Sequence, residues 1–434
     1  MESDRIENRD CLAGMREMEE NSVDAVVCDP PYGISFMQAH WDHGVPGVPY
    51  WQEALRVAKP GGHLLAFGSP KTHHRLMIAI EDAGWEIRDC LMWVFGSGMP
   101  KGLDVGKALD RAAGAEREVV GERSNVFNRP ITPGWDKSKG LKDRGPFETS
   151  SGKVVVVTAP ATDAAKQWDG WGTSLKPAYE IVILARKPLD GTVAETVLKW
   201  GCGGINIDGC RIEVSNSDPG KKNWHGNRPS CKEYHRGPQA LYGAYAPHTS
   251  SEHESGRWPA NLLLDEAAAD LLDQQSGTLK SGANPARRGS AKSKNCYGEF
   301  KGQESCTVHR GANSGGASRF FYCSKASKKE RCGSLHPTVK PLALMRYLCR
   351  LVTPPGGLIL DPFMGSGSTA VAAVQEGFHY LGFEINPTYC ADAERRIAEA
   401  RREIAAPRPN KRGNSASKDA PPATTLAAFG TEET

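Results

Sequence analysis

The sequence predicts an α/β protein built on a doubly wound, mostly parallel sheet that carries a large irregular insertion. Three observations predict it. Short β-branched apolar runs alternate with helical patterns at both ends of the chain, the rhythm of βαβ units. Two of those runs stop at an acidic residue followed by proline, Asp29-Pro30 and Asp361-Pro362. Between the two ends the regular pattern gives way to glycine, proline, serine and lysine.

The first strand is Val23 to Cys28, whose length and branching are those of a buried strand. Proline lacks the N–H that a central ladder needs, so the strand must stop at Asp29. Pro30 and Pro31 fix their φ near about −65° and stiffen the backbone on either side. Asp29 and Tyr32 are therefore presented rigidly at a strand's C-terminal edge, where open α/β sheets bind ligands. A helix follows around Tyr50 to Val57, then a turn at Lys59-Pro60-Gly61-Gly62 and a strand from His63 to Phe67. A helix near Thr72 to Ala83 and an apolar strand from about Trp85 to Phe95 complete a first core segment, 1–96. Residues 97–174 read as an irregular insertion, and Tyr179 to Pro188, within 175–190, as one more core strand. Residues 191–335 are again irregular and are expected to hold the determinants of target recognition.

Order returns at 336–404. A loop from His336 to Pro341 leads into a helix with Leu342, Met345, Leu348 and Leu351 on one face. Leu358 to Leu360 is a short strand, Asp361 to Gly367 a glycine-rich turn, and Ser368 opens an alanine-rich helix that ends at Gly377. His379 to Phe383 is the next strand, closed by Glu384, and 405–434 is a low-complexity tail. Glycine at 365 and 367 lets the backbone approach a ligand at the helix N-terminus, and an acid after the following strand suits a ribose diol. The pattern predicts a nucleoside-containing cofactor. Gly365-x-Gly367-x-x-Ala370 also fits the dinucleotide fingerprint, so an NAD-dependent oxidoreductase is an alternative, although Asp361 would repel a pyrophosphate.

With 434 residues, 39% hydrophobic and 24% charged, the chain has room for two or three domains and a sizeable core. No apolar run approaches the roughly 18 residues of a membrane span, and the polar start lacks a signal-peptide core, so a cytoplasmic protein without a membrane partner is expected. The twelve cysteines form no C-x-x-C pair, which predicts scattered thiols and no metal site. A net charge of +3 does not by itself suggest nucleic acid. Residues 276–335, however, carry twelve Lys or Arg against Glu299, Glu304 and Glu330, a local excess of +9. Arg287, Arg288, Lys292 and Lys294 in that stretch are the expected contacts to a DNA backbone; the alternative is a solvated insertion.

Asp29-Pro30-Pro31-Tyr32, His336-Pro337-Thr338-Val339-Lys340-Pro341, Asp361-Pro362-Phe363-Met364-Gly365-Ser366-Gly367 and Gly382-Phe383-Glu384 together resemble the amino-group DNA methyltransferases. The order, target-side motif first and cofactor motif last, resembles their β-class, and "GSGMPKGLDVGKALDR" resembles phage and prophage members. The resemblance implies a Rossmann-like S-adenosylmethionine-dependent methyltransferase fold and double-stranded DNA as partner. It leaves open a paired restriction endonuclease and a monomeric or homodimeric state. It assigns Phe363, Gly365 and Gly367 to the loop around the methionine moiety, Glu384 to the ribose hydroxyls and Asp10 to the adenine amino group. Asp361 is assigned to the methionine ammonium, and Thr338 and Lys340 to its carboxylate. Asp10 also reads as a helix N-cap and Lys340 as a surface lysine.

The resemblance agrees with what the residues can do. An exocyclic amino group is a poor nucleophile because its lone pair is delocalised into the ring. Asp29 and the Pro30 carbonyl are acceptors on stiff backbone, suited to draw the amino hydrogens out of plane so that the lone pair attacks a sulfonium methyl in line. Tyr32 offers a face for an extruded base. Adenine N6 is the favoured target and cytosine N4 the alternative, while a non-catalytic DNA-binding protein is disfavoured because the motif residues are all present.

Overall fold

The computed structural model describes residues 3–35, 42–96, 98, 102–124, 154–213, 256–280, 286–287, 293–295, 298–300, 306–307, 314–324 and 339–406. Nine strands form one sheet. They are β1 (Arg5–Glu7), β2 (Val23–Cys28), β3 (Ala58–Gly68), β4 (Glu86–Val94), β5 (Tyr179–Arg186), β6 (Leu262–Asp265), β7 (Tyr322–Ser324), β8 (Leu358–Asp361) and β9 (His379–Phe383). Across the sheet they lie in the order β1-β9-β8-β2-β3-β5-β4-β6-β7. Every neighbouring pair is parallel except those made by β5, which runs antiparallel to both β3 and β4. The expected doubly wound, mostly parallel sheet is present.

Proline at 30 and the Asp361-Pro362 step end β2 and β8 at the same edge, because the two strands pair in parallel with Ile359 opposite Ala25 and Leu360 opposite Val26. From β8 the chain passes through helix α9 (Ser368–Glu376) to β9 on one side. From β2 it passes through α2 (Val48–Val57) to β3 on the other. The strand order therefore reverses between β8 and β2, and a crevice must open at their C-terminal ends. All six residues of β2 are buried, and alternate side chains feed two cores. Ala25 and Val27 pack with Leu344, Leu348 and Val371 on one face, while Val26 and Cys28 pack with Met15, Trp51 and Ile80 on the other. Helix α8 (Leu342–Val352) is buried well beyond the single face expected, Tyr347, Cys349 and Val352 included. Tyr322 of β7 covers Tyr347, stacking on it at 4.0 Å.

The structure departs from the sequence reading in the regions read as irregular. Residues 191–335 contribute β6 and β7 to the sheet, with α6 (Val193–Trp200) and α7 (Glu266–Ser276). Helix α7 is capped by Asp265, whose side chain accepts from Ala268 N. Within 97–174, α4 (Val105–Ala112), α5 (Asp163–Gln167) and a hairpin of Val119–Ser124 with Val154–Thr158 form an ordered unit. Its centre is Asp110, which accepts from Arg117 at 2.7 Å and from the Thr162 amide at 2.9 Å. The edge strand β1 falls before the first element read from the sequence.

Gly367 caps α9 with φ +77°, and a Cβ there would lie 2.7 Å from Cβ of Ala393 in α10 (Pro387–Ala405). The residue read as making room for a ligand makes room for a helix. Gly367→Ala combines left-handed strain with that overlap, so it should lower stability by about 1–3 kcal/mol. Urea unfolding would show it as a reduced midpoint; an unchanged midpoint would contradict the packing role.

Candidate active site

The crevice at the C-terminal ends of β2 and β8 is a cleft of ≈ 1080 Å³ lined by both sequence motifs. Asp29, Pro30, Pro31, Tyr32, Glu180 and Lys340 line one half. Asp10, Asp361, Phe363, Gly365, Glu384 and Tyr389 line the other. Of the residues expected at the site, Gly367 does not reach the cleft and Thr338 lies outside the described residues. Arg287 and Lys294 fall in short paired segments, Ala286–Arg287 and Ser293–Asn295, and Arg288 and Lys292 lie outside the described residues.

In the first half, four side chains form one hydrogen-bonded cluster. The Lys340 ammonium donates to Asp29 Oδ2 at 2.8 Å and to the Tyr32 hydroxyl at 3.0 Å, and it lies 3.2 Å from Glu180 Oε2. The Tyr32 hydroxyl reaches Asp29 Oδ1 at 2.9 Å and Glu180 Oε2 at 3.1 Å, with one proton to give to either. Lys340 is only 8% exposed and lies 4.8 Å from the centre of the Phe67 ring, so it is no surface lysine. An ammonium has three hydrogens, and three acceptors surround this one. The lysine assigned to a cofactor carboxylate is thus engaged with Asp29, Tyr32 and Glu180. Burial works against its charge, but Asp29 and then Glu180 outweigh that and hold its pKa above that of an ordinary lysine. Burial, reinforced by Asp29 and Glu180, keeps the Tyr32 phenol protonated well above its usual range. The Tyr32 hydroxyl is thus tied into the cluster, where the sequence suggested a use for the ring alone.

The loop that carries this cluster is organised by Asp42, which the sequence reading missed. Asp42 is 1% exposed; its Oδ1 accepts from Gly33 N at 2.7 Å and its Oδ2 from Ile34 N at 3.3 Å. Thr72 adds a bond of 2.6 Å from its hydroxyl to the Tyr32 carbonyl. Gly33 at φ +65° permits the turn that these bonds close.

In the second half, Asp361 is buried, and its Oδ1 accepts from Phe363 N at 2.9 Å. Burial is the main influence on this carboxyl; bonds from Thr369 and the Phe363 amide oppose it, Asp29 and Glu384 add to it, and the balance lifts its pKa to about 7. Glu384 Oε2 accepts from Gly365 N at 2.8 Å and Oε1 from Asn386 N at 2.7 Å, which fixes the carboxylate beside the glycine-rich turn. The Phe363 ring sits 6.1 Å from the rings of Tyr50 and Trp51, giving an apolar wall. Asp10 caps α1 (Cys11–Arg16), as expected, by accepting from Ala13 N at 2.9 Å, and it also lines the cleft. Among the described residues no group of His, Cys, Asp and Glu could hold a metal, and no helix is long and apolar enough to cross a membrane.

The cleft thus lies at a strand-order reversal, with an acid-and-glycine turn on one side and a rigid Asp-Pro-Pro-Tyr segment on the other. The chain belongs to the N6/N4 DNA methylase family, whose profile matches residues 158–395. It is 43% identical over 69 residues to a putative methylase, YubD, of Escherichia coli (strain K12), covering 16% of this chain and 30% of that protein. It is 37% identical over 83 residues to the DNA adenine methyltransferase YhdJ of the same organism, covering 18% of this chain and 28% of the relative. The chain thus spans less than a third of the length of either relative. Among solved structures, the M1.HpyAVI–SAM complex gives a TM-score of 0.37 at 15% identity over 90% of this chain and 98% of that one. The cytosine-N4-specific PvuII DNA methyltransferase gives 0.39 at 13% identity over 93% of each.

The Asp361 carboxyl, with a native pKa of about 7 against 3.8 for an ordinary aspartate, favours the folded state as the neutral acid. That contribution is complete below the unfolded value and is lost as pH rises through the folded one. Wild type should therefore lose stability relative to Asp361→Asn as pH rises from about 4 to 8. Urea unfolding at a series of pH values measures this, and parallel pH curves would show that the carboxyl is not strained by burial.

Proposed function

We propose that this chain transfers a methyl group from S-adenosylmethionine to adenine N6 in duplex DNA, with the target base extruded into the cleft. The observation that carries the reading is the placement of Asp29 and Asp361 at the ends of adjacent strands, opening into one cleft. An acceptor for an amino group and a cradle for a nucleoside thus stand side by side. The residues fit the cofactor. Asp361, buried with no cationic side chain paired to it among the described residues, suits an ammonium, Glu384 a ribose diol, Asp10 an adenine amino group, and Phe363 an apolar contact. When bound, S-adenosylmethionine supplies a methyl made electrophilic by its sulfonium. Asp361 and Glu384 would both face a pyrophosphate in the dinucleotide alternative, which disfavours it.

On the target side, Asp29 is held through both oxygens by Tyr32 and Lys340, so its remaining lone pairs point from a fixed carboxylate. That carboxylate and the Pro30 carbonyl accept the two amino hydrogens, and the Tyr32 ring packs against the extruded base. Positioning of this kind supplies much of the rate of an in-line transfer. The 37% identity to a DNA adenine methyltransferase supports adenine over cytosine N4.

Two measurements test the reading. Labelled methyl transfer to duplex DNA followed by nucleoside analysis should give N6-methyladenine, with Asp29→Ala slower by about 100-fold to 1000-fold and cofactor affinity retained. N4-methylcytosine as the product would replace the adenine assignment, and full activity in Asp29→Ala would overturn the mechanism. The basic stretch 276–335 is proposed to follow the phosphate backbone. Replacing Arg287, Arg288, Lys292 and Lys294 by Ala should weaken DNA binding and lower the log–log salt slope by about 0.9 per lost phosphate contact. An unchanged slope would make that stretch a solvated loop.

A further inference from the structure

We propose that Glu180 is a positioning residue for methyl transfer, supplying the negative charge that Lys340 takes away from Asp29. Nothing in the sequence motifs singles it out. It is the second residue of β5, and it reaches the cleft because β5 runs antiparallel to its neighbours, so that its beginning lies at the edge where β2 ends. Its Oε2 stands 3.2 Å from the Lys340 ammonium and 3.1 Å from the Tyr32 hydroxyl.

The inference rests on the proposed methyl transfer and follows from its charge balance. The amino lone pair forms the new N–C bond as the C–S bond breaks and its electron pair stays on sulfur. The positive charge thereby passes from sulfur to the methylated nitrogen, and it leaves when that nitrogen gives a proton to Asp29. A pocket complementary to the transition state must welcome positive charge arriving beside Asp29. Lys340, 2.8 Å from Asp29, works against this. Asp29 with Lys340 alone is neutral, whereas Asp29, Lys340 and Glu180 together carry −1. With Lys340 buried and Asp29 and Glu180 only partly exposed, a charge at this range is felt more strongly than in open water. Glu180 thus lets Lys340 orient Asp29 without cancelling the field that the reaction needs.

A purely structural role, with Glu180 only holding Lys340 in place, makes a different forecast. Glu180→Gln keeps the shape and removes the charge, so turnover should fall by on the order of 10-fold to 100-fold. Adding Lys340→Met returns the pocket to −1 through Asp29 alone, and the double variant should recover most of the loss. If Glu180 merely braced Lys340, the double variant would be no better than the single. A readout without turnover uses two cofactor analogues measured by calorimetry on the DNA-free protein: sinefungin, with an ammonium near the methyl position, and S-adenosylhomocysteine, neutral at sulfur. The preference for sinefungin should fall in Glu180→Gln, rise in Lys340→Met and return towards wild type in the double variant. Retained S-adenosylhomocysteine affinity certifies that each variant is folded. Equal turnover and equal analogue preference in wild type and Glu180→Gln would overturn the proposal. A wild-type protein that methylates no DNA would overturn the function proposed above, while the analogue preference would still decide the charge role of Glu180.

Discussion

The site depends on the pairing of β2 with β8, two strands that are neighbours in space and lie at opposite ends of the chain. Closing so long a loop costs entropy, although that cost grows only with the logarithm of its length. What offsets it is burial. Both faces of β2 are covered, by α8 and α9 on one side and by α1, α2 and α3 (His73–Asp82) on the other. Because the register is parallel and both strands end at a carboxylate before proline, one pairing sets the separation between the two halves of the cleft. A slip of one residue would turn every inward side chain of β2 to the opposite core.

Electrostatics sharpens what topology places. Asp361 is buried and pushed towards neutrality, while Asp29 is bound by an ammonium and a phenol. Two aspartates, each before a proline at the C-terminal end of one of two adjacent strands, therefore differ in character for reasons outside their own motifs. One accepts from the Phe363 amide of the glycine-rich turn, and the other is joined to residues delivered from β5 and from the segment before α8. Different environments for paired carboxylates are a general means of giving them different tasks.

Much of this was legible in the sequence because it rests on local signals. Proline after Cys28, the glycines around 365 and the caps at Asp10 and Gly377 mark where elements stop and start, and the strands at Val23, Tyr179, Leu358 and His379 appear where their apolar runs predict. What was not legible lacked such signals or depended on distant partners. Strands β1 and β7 have three residues each, too few to show a period. Strand β6 is a run of leucines whose sequel, Asp265 and an alanine-rich helix, carries an ordinary cap signal hidden among glycine-rich and serine-rich neighbours. Asp42 and Glu180 are single acids in unremarkable surroundings, and only the fold shows that one closes the Asp29 loop and the other meets Lys340. Gly367 shows a further limit, since a glycine required by a passing helix and one required by a ligand look the same in a sequence.

The reversed strand β5 has a consequence for how such a protein can change. A parallel strand would bring its preceding segment in at the far edge of the sheet, away from the cleft. By entering in the opposite sense, β5 makes residues 173–178 line the rim of the pocket and hangs the whole of the preceding unit, α4, α5 and their hairpin, from the working edge. That unit can lengthen, shrink or be exchanged while the ladder from Tyr179 to Arg186 stays in register with β3 and β4. The scaffold thus separates inheritance of the chemistry from diversification of whatever approaches it, and new preferences can be grafted at the mouth of the cleft without retuning the carboxylates inside.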